Sequence, residues 1–318
     1  MPSLESTRKA YGETLLELAR EGRDIVALAA DTSTSMYTDL LAAEFPDRSW
    51  DVGIAEQNMV AMAAGLASTG KTVFATTYAT FMSMRACEQI RTFIAYPNLD
   101  VKLVGGLGGF SAGIEGVTHL AVEDIGILRV IPNLAIVAPA DAVATRKLVR
   151  AAADHRGPVY IRLGRDPSPV VFDAAYAPRI GEAVTLADFG DDLGLVASGF
   201  IVPEVLAAAE TLKAEGIGVT VVEIHTIKPL DEKSILSLAR RTGALLVAEE
   251  HSIINGLGSA VSELLSEKFP VRIKRVGIPD RFTESGTPDE LRDKYSLRAA
   301  DIAAEARQLL RTRSAEKP

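Results

Sequence analysis

The sequence has a single cysteine, Cys87, so no disulfide can form within the chain, and a reducing compartment suits it. Cys87 lies in the helical stretch MRACEQIR and reads as a small core residue rather than a nucleophile. There is no dense patch of Lys and Arg, and the formal net charge is -8. An acidic chain without such a patch has nothing to neutralise phosphates over a broad surface, which argues against nucleic acid and anionic membranes as partners. The only basic cluster near the end, RTRSAEK, reads as a solvated tail. No apolar run approaches the roughly 18 residues of a membrane span. The N-terminal MPSLESTRKAYG lacks the basic-then-apolar order of a signal peptide, so a cytoplasmic location is expected. The four histidines have no metal-ligand spacing, and no metal is assigned to this chain.

What is present is an ordinary globular composition, 47% hydrophobic and 24% charged over 318 residues, which suits two domains. Short β-rich runs alternate with helical patterns. Helix 6–21 precedes strand DIVALAAD, and helix 36–45 precedes a short strand near SWDVG. Helix 55–69, strand TVFATTY, helix 80–95 and strand VKLVGG follow. After a glycine-rich loop come helix 118–129, strand LAIVAPA, helix 141–154 and strand PVYIRL. Such alternation implies βα crossovers and mostly parallel sheets with helices on both faces, and near-continuous apolar strands fit burial on both sides. The rhythm breaks in the proline-containing stretch GRDPSPVVFDAAYAPRIGEAV, then resumes with GLVASG, GVTVVEI, ALLVAEE and RIKRVGI as strands. The expected architecture is therefore α/β: two three-layer α/β/α domains, residues 1–165 and 191–318, joined by a linker at 166–190.

The segment DVGIAEQNMVAMAAGLASTGKTVFATTYATF places one acid, Glu56, at the start of a helix that is apolar nearly all round. Taken alone, Glu56 reads as a complement to the helix dipole. In an apolar setting, a carboxyl can also hold or release a proton near neutrality. Tyr78, Phe81 and Met84 recur every third residue, so a helical turn can align them as core or as a flat slot for a planar heterocycle.

These residues resemble the pyrimidine-binding domain of the transketolase family. In that family a glutamate in this context contacts a ring nitrogen of the aminopyrimidine of thiamine diphosphate and drives the tautomer that activates the thiazolium carbon. The resemblance gives that role to Glu56 and the aromatic pocket to Tyr78, Phe81 and Met84, with Met84 replacing a usual aromatic ring. IEGVTHLAVEDI resembles the G-x-T-H segment and implies an active-site histidine at His119. KPLDEKSI, LLVAEEHSIINGLGSAVSELL and GIPDRFTESG are similar to the family's C-terminal domain, so the likeness covers essentially the whole chain. It further implies a sugar-phosphate site at Arg8, Ser35 and Arg165, and an aspartate near the cofactor at Asp31. His251 is a candidate for the domain interface near the site.

Two departures bear on specificity. Leu107 stands where many full-length transketolases have a histidine near the substrate phosphate, and Glu115 where they have an aspartate that contacts a sugar hydroxyl. The family's diphosphate domain carries a GDG signature that this chain lacks; FGDDLG is the nearest string and precedes a strand of the second domain. The expectation is the C-terminal subunit of a split transketolase. It would work with an N-terminal partner subunit that holds the diphosphate and most of the Mg²⁺, in a heterotetramer of two copies of each. Two rivals stand beside it: the β subunit of a 2-oxo acid dehydrogenase's decarboxylating component, or another thiamine diphosphate enzyme, and a non-catalytic scaffold subunit. The 1-deoxyxylulose-5-phosphate synthases share the motifs but are expected as longer single chains.

Overall fold

A computed structural model describes residues 3–315. Two mostly parallel sheets form, each with helices packed on it. The first has seven strands in the order Thr226–Lys228, Ala135–Val137, Val159–Arg162, Val101–Gly106, Thr72–Tyr78, Ile25–Ala29, Ser49–Asp51. Its strands are parallel except Thr226–Lys228, which pairs antiparallel with Ala135–Val137. The second has five, ordered Arg272–Ile278, Ala244–Ser252, Leu193–Ser198, Val219–Glu223, Val184–Asp188. Central strands such as Ile25–Ala29 and Val101–Gly106 are buried at every position, which is why they read as unbroken apolar runs. Among the described residues no helix is long and apolar enough to cross a membrane.

Several elements differ from the sequence expectation. The stretch 166–190 supplies an edge strand of the second sheet, Val184–Asp188, and the two-residue strand Ser168–Pro169 that pairs with Leu4–Glu5. The second half of the chain also contributes Thr226–Lys228 to the first sheet. The helix expected over 118–129 is confined to Asp124–Arg129, because Phe110–Glu115 is a 3₁₀ segment that ends at Gly116 with φ 83°. The helix expected over 80–95 breaks after Arg85 at Ala86, resumes as the short α-turn Cys87–Gln89 and runs on as a π-helical turn, Ile90–Ala95. Cys87, expected in the core, is only half-buried. Helix Ala299–Ala315 runs into the expected tail, whose end lies outside the described residues.

Helix Glu56–Ala67 is not buried all round. Glu56, Met59, Val60, Ala63 and Ala67 face the core, while Gln57, Asn58, Met62 and Gly65 are exposed in this single chain. The apolar cores of the two halves are continuous. Leu107, Phe110 and Leu120 of the first half pack in one cluster with Leu195, Ala248 and Tyr295 of the second.

Candidate active site

The site forms at the carboxyl ends of the first sheet's strands, where an open α/β sheet offers a crevice. Strand Thr72–Tyr78 delivers Tyr78 to its last position, and helix Ala79–Arg85 starts at once, so Phe81 falls one turn further. Their ring centroids are 5.9 Å apart. His119 joins them, 5.2 Å from Phe81 in an edge-on contact and 6.1 Å from Tyr78, with Nδ1 3.1 Å from the Thr118 hydroxyl. Met84 lies half-exposed a turn beyond Phe81, with the Thr80 hydroxyl 3.9 Å from its sulfur. A cavity of about 440 Å³ opens beside these residues, lined by Phe81, Met84, Arg85, Thr118, Glu123 and Phe282 among others.

Glu56 is 4% exposed at the first turn of its helix. The wholly apolar surroundings expected for it are not what the fold provides. Arg85 Nη1 donates to Glu56 Oε1 at 2.9 Å, and the same guanidinium lies 3.8 Å from the centre of the Phe81 ring. One cation thus bridges the acid and the aromatic wall. Glu123, in the same cavity, has its carboxyl pushed above the ordinary glutamate range, chiefly by burial.

The residues expected to hold a sugar phosphate come together only in part. Each of the three Arg8 nitrogens donates to a backbone carbonyl: Nη1 to Ser35 O at 2.6 Å, Nε and Nη2 to Arg165 O at 3.1 and 2.7 Å. Burial lowers the Arg8 pKa, and the nearby charge of Arg165 acts in the same direction. Ser35 Oγ accepts from the Tyr78 hydroxyl at 3.2 Å, which ties this corner to the aromatic wall. Arg165 Nη2 lies 3.1 Å from Glu115 Oε1. Asp31 stands apart on an exposed turn with φ 56°, its N–H held at 2.8 Å by Asp51. Asp51 also accepts from Gly53 N–H and the Ser33 hydroxyl. Leu107 is turned away into the inter-domain core, also at positive φ, 62°.

The second half of the chain buttresses the loop that carries Glu115 and His119. Glu250 accepts Phe110 N–H at 2.7 Å through one oxygen and Arg292 Nε at 2.9 Å through the other. Gly286 N–H donates to Gly113 O at 3.1 Å. Beneath, buried Arg162 pairs with Asp124 at 2.9 Å and Tyr160 donates to the same carboxylate at 2.7 Å. His251 lies at the domain interface, where its Nε2 accepts Gly126 N–H at 3.2 Å. Arg85, Glu123, Phe282 and Glu250 were absent from the sequence-based site. Arg85 had a signal, since it follows Phe81 by four residues and so shares its helix face. Phe282 arrives from the other half of the chain and has no local signature.

A buried acid beside an aromatic wall thus marks the first of the two α/β units. Comparison with known proteins fixes the family. Residues 5–169 match the model described as "Transketolase, pyrimidine binding domain", and residues 181–302 the one described as "Transketolase, C-terminal domain". A solved structure titled "Split gene transketolase, inactive beta4 tetramer" superposes with TM-score 0.90 at 45% identity, covering 96% of this chain and 98% of that one. The 6-deoxy-6-sulfo-D-fructose transketolase subunit of Clostridium sp. (strain MSTE9) is 40% identical over 302 residues, 95% of this chain and 94% of that protein. Human transketolase is 36% identical over 321 residues, which span 98% of this chain but 51% of the human protein. The chain belongs to the transketolase family.

Proposed function

We propose that this chain is the C-terminal subunit of a two-subunit, thiamine diphosphate-dependent transketolase that moves a two-carbon ketol unit between sugar phosphates. Buried Glu56 beside the Tyr78–Phe81–His119 wall is the observation that carries this reading. The residues present fit an aminopyrimidine: an aromatic face for stacking, a carboxylate at its edge, and an open cavity on the other side. Bound there, thiamine diphosphate supplies the carbon nucleophile and electron sink for ketol transfer.

The chain's own residues do the rest. Glu56 holds a proton against a ring nitrogen, Tyr78 and Phe81 stack on the ring, and Met84 gives a softer wall than an aromatic side chain. His119, in edge contact with Phe81, donates a hydrogen bond to the sugar's oxygen atoms. Arg165 and Ser35 form the anion end of the substrate site, with Arg8 bracing both through their carbonyls. Glu115 meets Arg165 and a sugar hydroxyl in turn. Asp31 belongs on the cofactor side once the partner covers the crevice.

An N-terminal partner subunit holds the diphosphate and Mg²⁺. A split-gene relative titled as inactive in its β₄ form supports dependence on a second kind of subunit. The working enzyme is then a heterotetramer, placed in the cytoplasm. The pyrimidine-binding unit is residues 1–165, and the C-terminal unit takes in the edge strand Val184–Asp188 together with 191–318.

The test is ketol transfer from xylulose 5-phosphate to ribose 5-phosphate with thiamine diphosphate and Mg²⁺, for the chain alone and with the N-terminal subunit. Activity is expected only in the mixture. An assembled, cofactor-loaded mixture that is inert toward sugar phosphates but decarboxylates 2-oxo acids would favour the dehydrogenase reading. One inert toward both would favour the scaffold.

A further inference from the structure

The Glu56–Arg85 pair raises a question that the cofactor-activating role leaves open. A carboxylate that is only 5% exposed needs a partner when the cofactor is absent, because an uncompensated buried charge is strongly destabilising. Arg85 meets that need in a particular geometry. Its guanidinium carbon lies 3.8 Å from the centre of the Phe81 ring while Nη1 donates to Glu56 at 2.9 Å. A guanidinium is planar, delocalised, cationic and edged with N–H donors. A protonated aminopyrimidine has the same four properties.

We infer that Arg85 and the cofactor's aminopyrimidine compete for one place, over Phe81 and against Glu56, so that Arg85 has to leave it when the cofactor binds. This rests on the reading that Glu56 faces that ring.

Two further observations fit a side chain built to leave. The Arg85 side chain is 47% exposed and itself lines the open cavity, so a change of rotamer carries the guanidinium into solvent without unfolding anything. Its backbone, by contrast, is fixed. The Gln57 side-chain amide donates to Arg85 O at 3.0 Å, which ties the end of helix Ala79–Arg85 to the residue beside Glu56. The chain then leaves the helix at Ala86 (φ -103°, ψ 12°) and passes into the π-helical turn, an irregularity common at functional sites. Arg85 therefore keeps buried Glu56 paired and competes with the cofactor for it. Competition of this kind lowers apparent affinity by the fraction of chains with the slot cleared.

Thiamine diphosphate binding to the assembled two-subunit enzyme, read by quenching of intrinsic fluorescence, tests the inference. Arg85→Met is expected to tighten binding roughly tenfold, the factor that corresponds to losing one charge-assisted contact in the competing state. In a Glu56→Gln background the same substitution should have no such effect. In the full chain alone, Arg85→Met should lower the melting temperature by a few degrees, and Glu56→Gln/Arg85→Met should restore it. Arg85→Lys keeps the charge without the stacking plane and should bind between wild type and Arg85→Met, so it serves if the Met variant folds poorly. Unchanged or weaker cofactor binding in both Arg85 variants would overturn the inference. A Glu56→Gln enzyme with normal turnover and cofactor affinity would instead overturn the reading beneath it.

Discussion

Glu115 Oε1 lies 3.1 Å from Arg165 Nη2, so this acid offsets the charge of the arginine proposed to meet a substrate anion. Both side chains are about one-third exposed, 31% and 28%, so the pair is weak, at most ~1 kcal/mol. Glu115→Ala should free Arg165 and lower KM for a sugar phosphate about twofold to fivefold, with little change in melting temperature. Steady-state kinetics decide it. A raised KM would mean that the Glu115 contact with the sugar hydroxyl outweighs its hold on Arg165.

His119→Ala should reduce turnover with much less effect on cofactor affinity, because His119 touches the Phe81 wall only by its edge. Removing one preorganised donor costs about 10²–10³ in turnover. An unchanged rate in the reconstituted enzyme would remove His119 from the site.

Gly109 has φ 63°, and a Cβ there would fall 2.4 Å from Glu250 Oε1, the atom that accepts Phe110 N–H. Gly109→Ala should therefore cost about 1–3 kcal/mol and displace the His119 loop, read as a lower urea midpoint together with lower turnover. A stable variant with normal turnover would mean that the loop does not depend on Glu250.

Asp124 is fully buried between Arg162 and Tyr160. Asp124→Ala leaves a buried guanidinium without its counter-charge and should destabilise the chain by about 3–5 kcal/mol. Tyr160→Phe removes one neutral-to-charged hydrogen bond and should cost about 1.5–3 kcal/mol. Chemical denaturation of both variants checks the order.

Burial raises the Glu123 carboxyl above its ordinary 4.5, so the folded state holds that proton more tightly than the unfolded state does. The stability this contributes is full below the unfolded pKa, near 4.5, and is lost as pH rises through the folded value. Glu123→Gln should therefore raise the melting temperature at pH ~7 relative to wild type and give no advantage near pH ~4. A gain of equal size at both pH values would rule out the carboxyl's titration as its source.

The sheets were legible because their strands are buried on both faces, and Ile25–Ala29 and Ala244–Ser252 read as apolar runs for that reason. Elements with weak local signals were not. Val184–Asp188 is a half-exposed edge strand in a stretch dominated by proline, and Thr226–Lys228 is three residues long. The π-helical turn at Ile90–Ala95 has no composition of its own, so a 3.6-residue period was carried through it. Helix Glu56–Ala67 misled through its alanines, which are apolar enough to suggest burial and small enough to tolerate exposure. That Glu56, Phe81 and His119 lie together could be read from motifs. That Arg8 donates to backbone carbonyls, or that Arg85 sits on Glu56, depends on side-chain geometry that no spacing encodes.

The strand that the second half of the chain lends to the first sheet has a practical consequence. Cutting the chain within 166–190 would follow the sequence rhythm but strip Thr226–Lys228 from Ala135–Val137. The released N-terminal piece would carry a bare, apolar parallel edge, an open template for its neighbours. Expression of the halves as independent modules should yield aggregates where the intact chain gives folded protein.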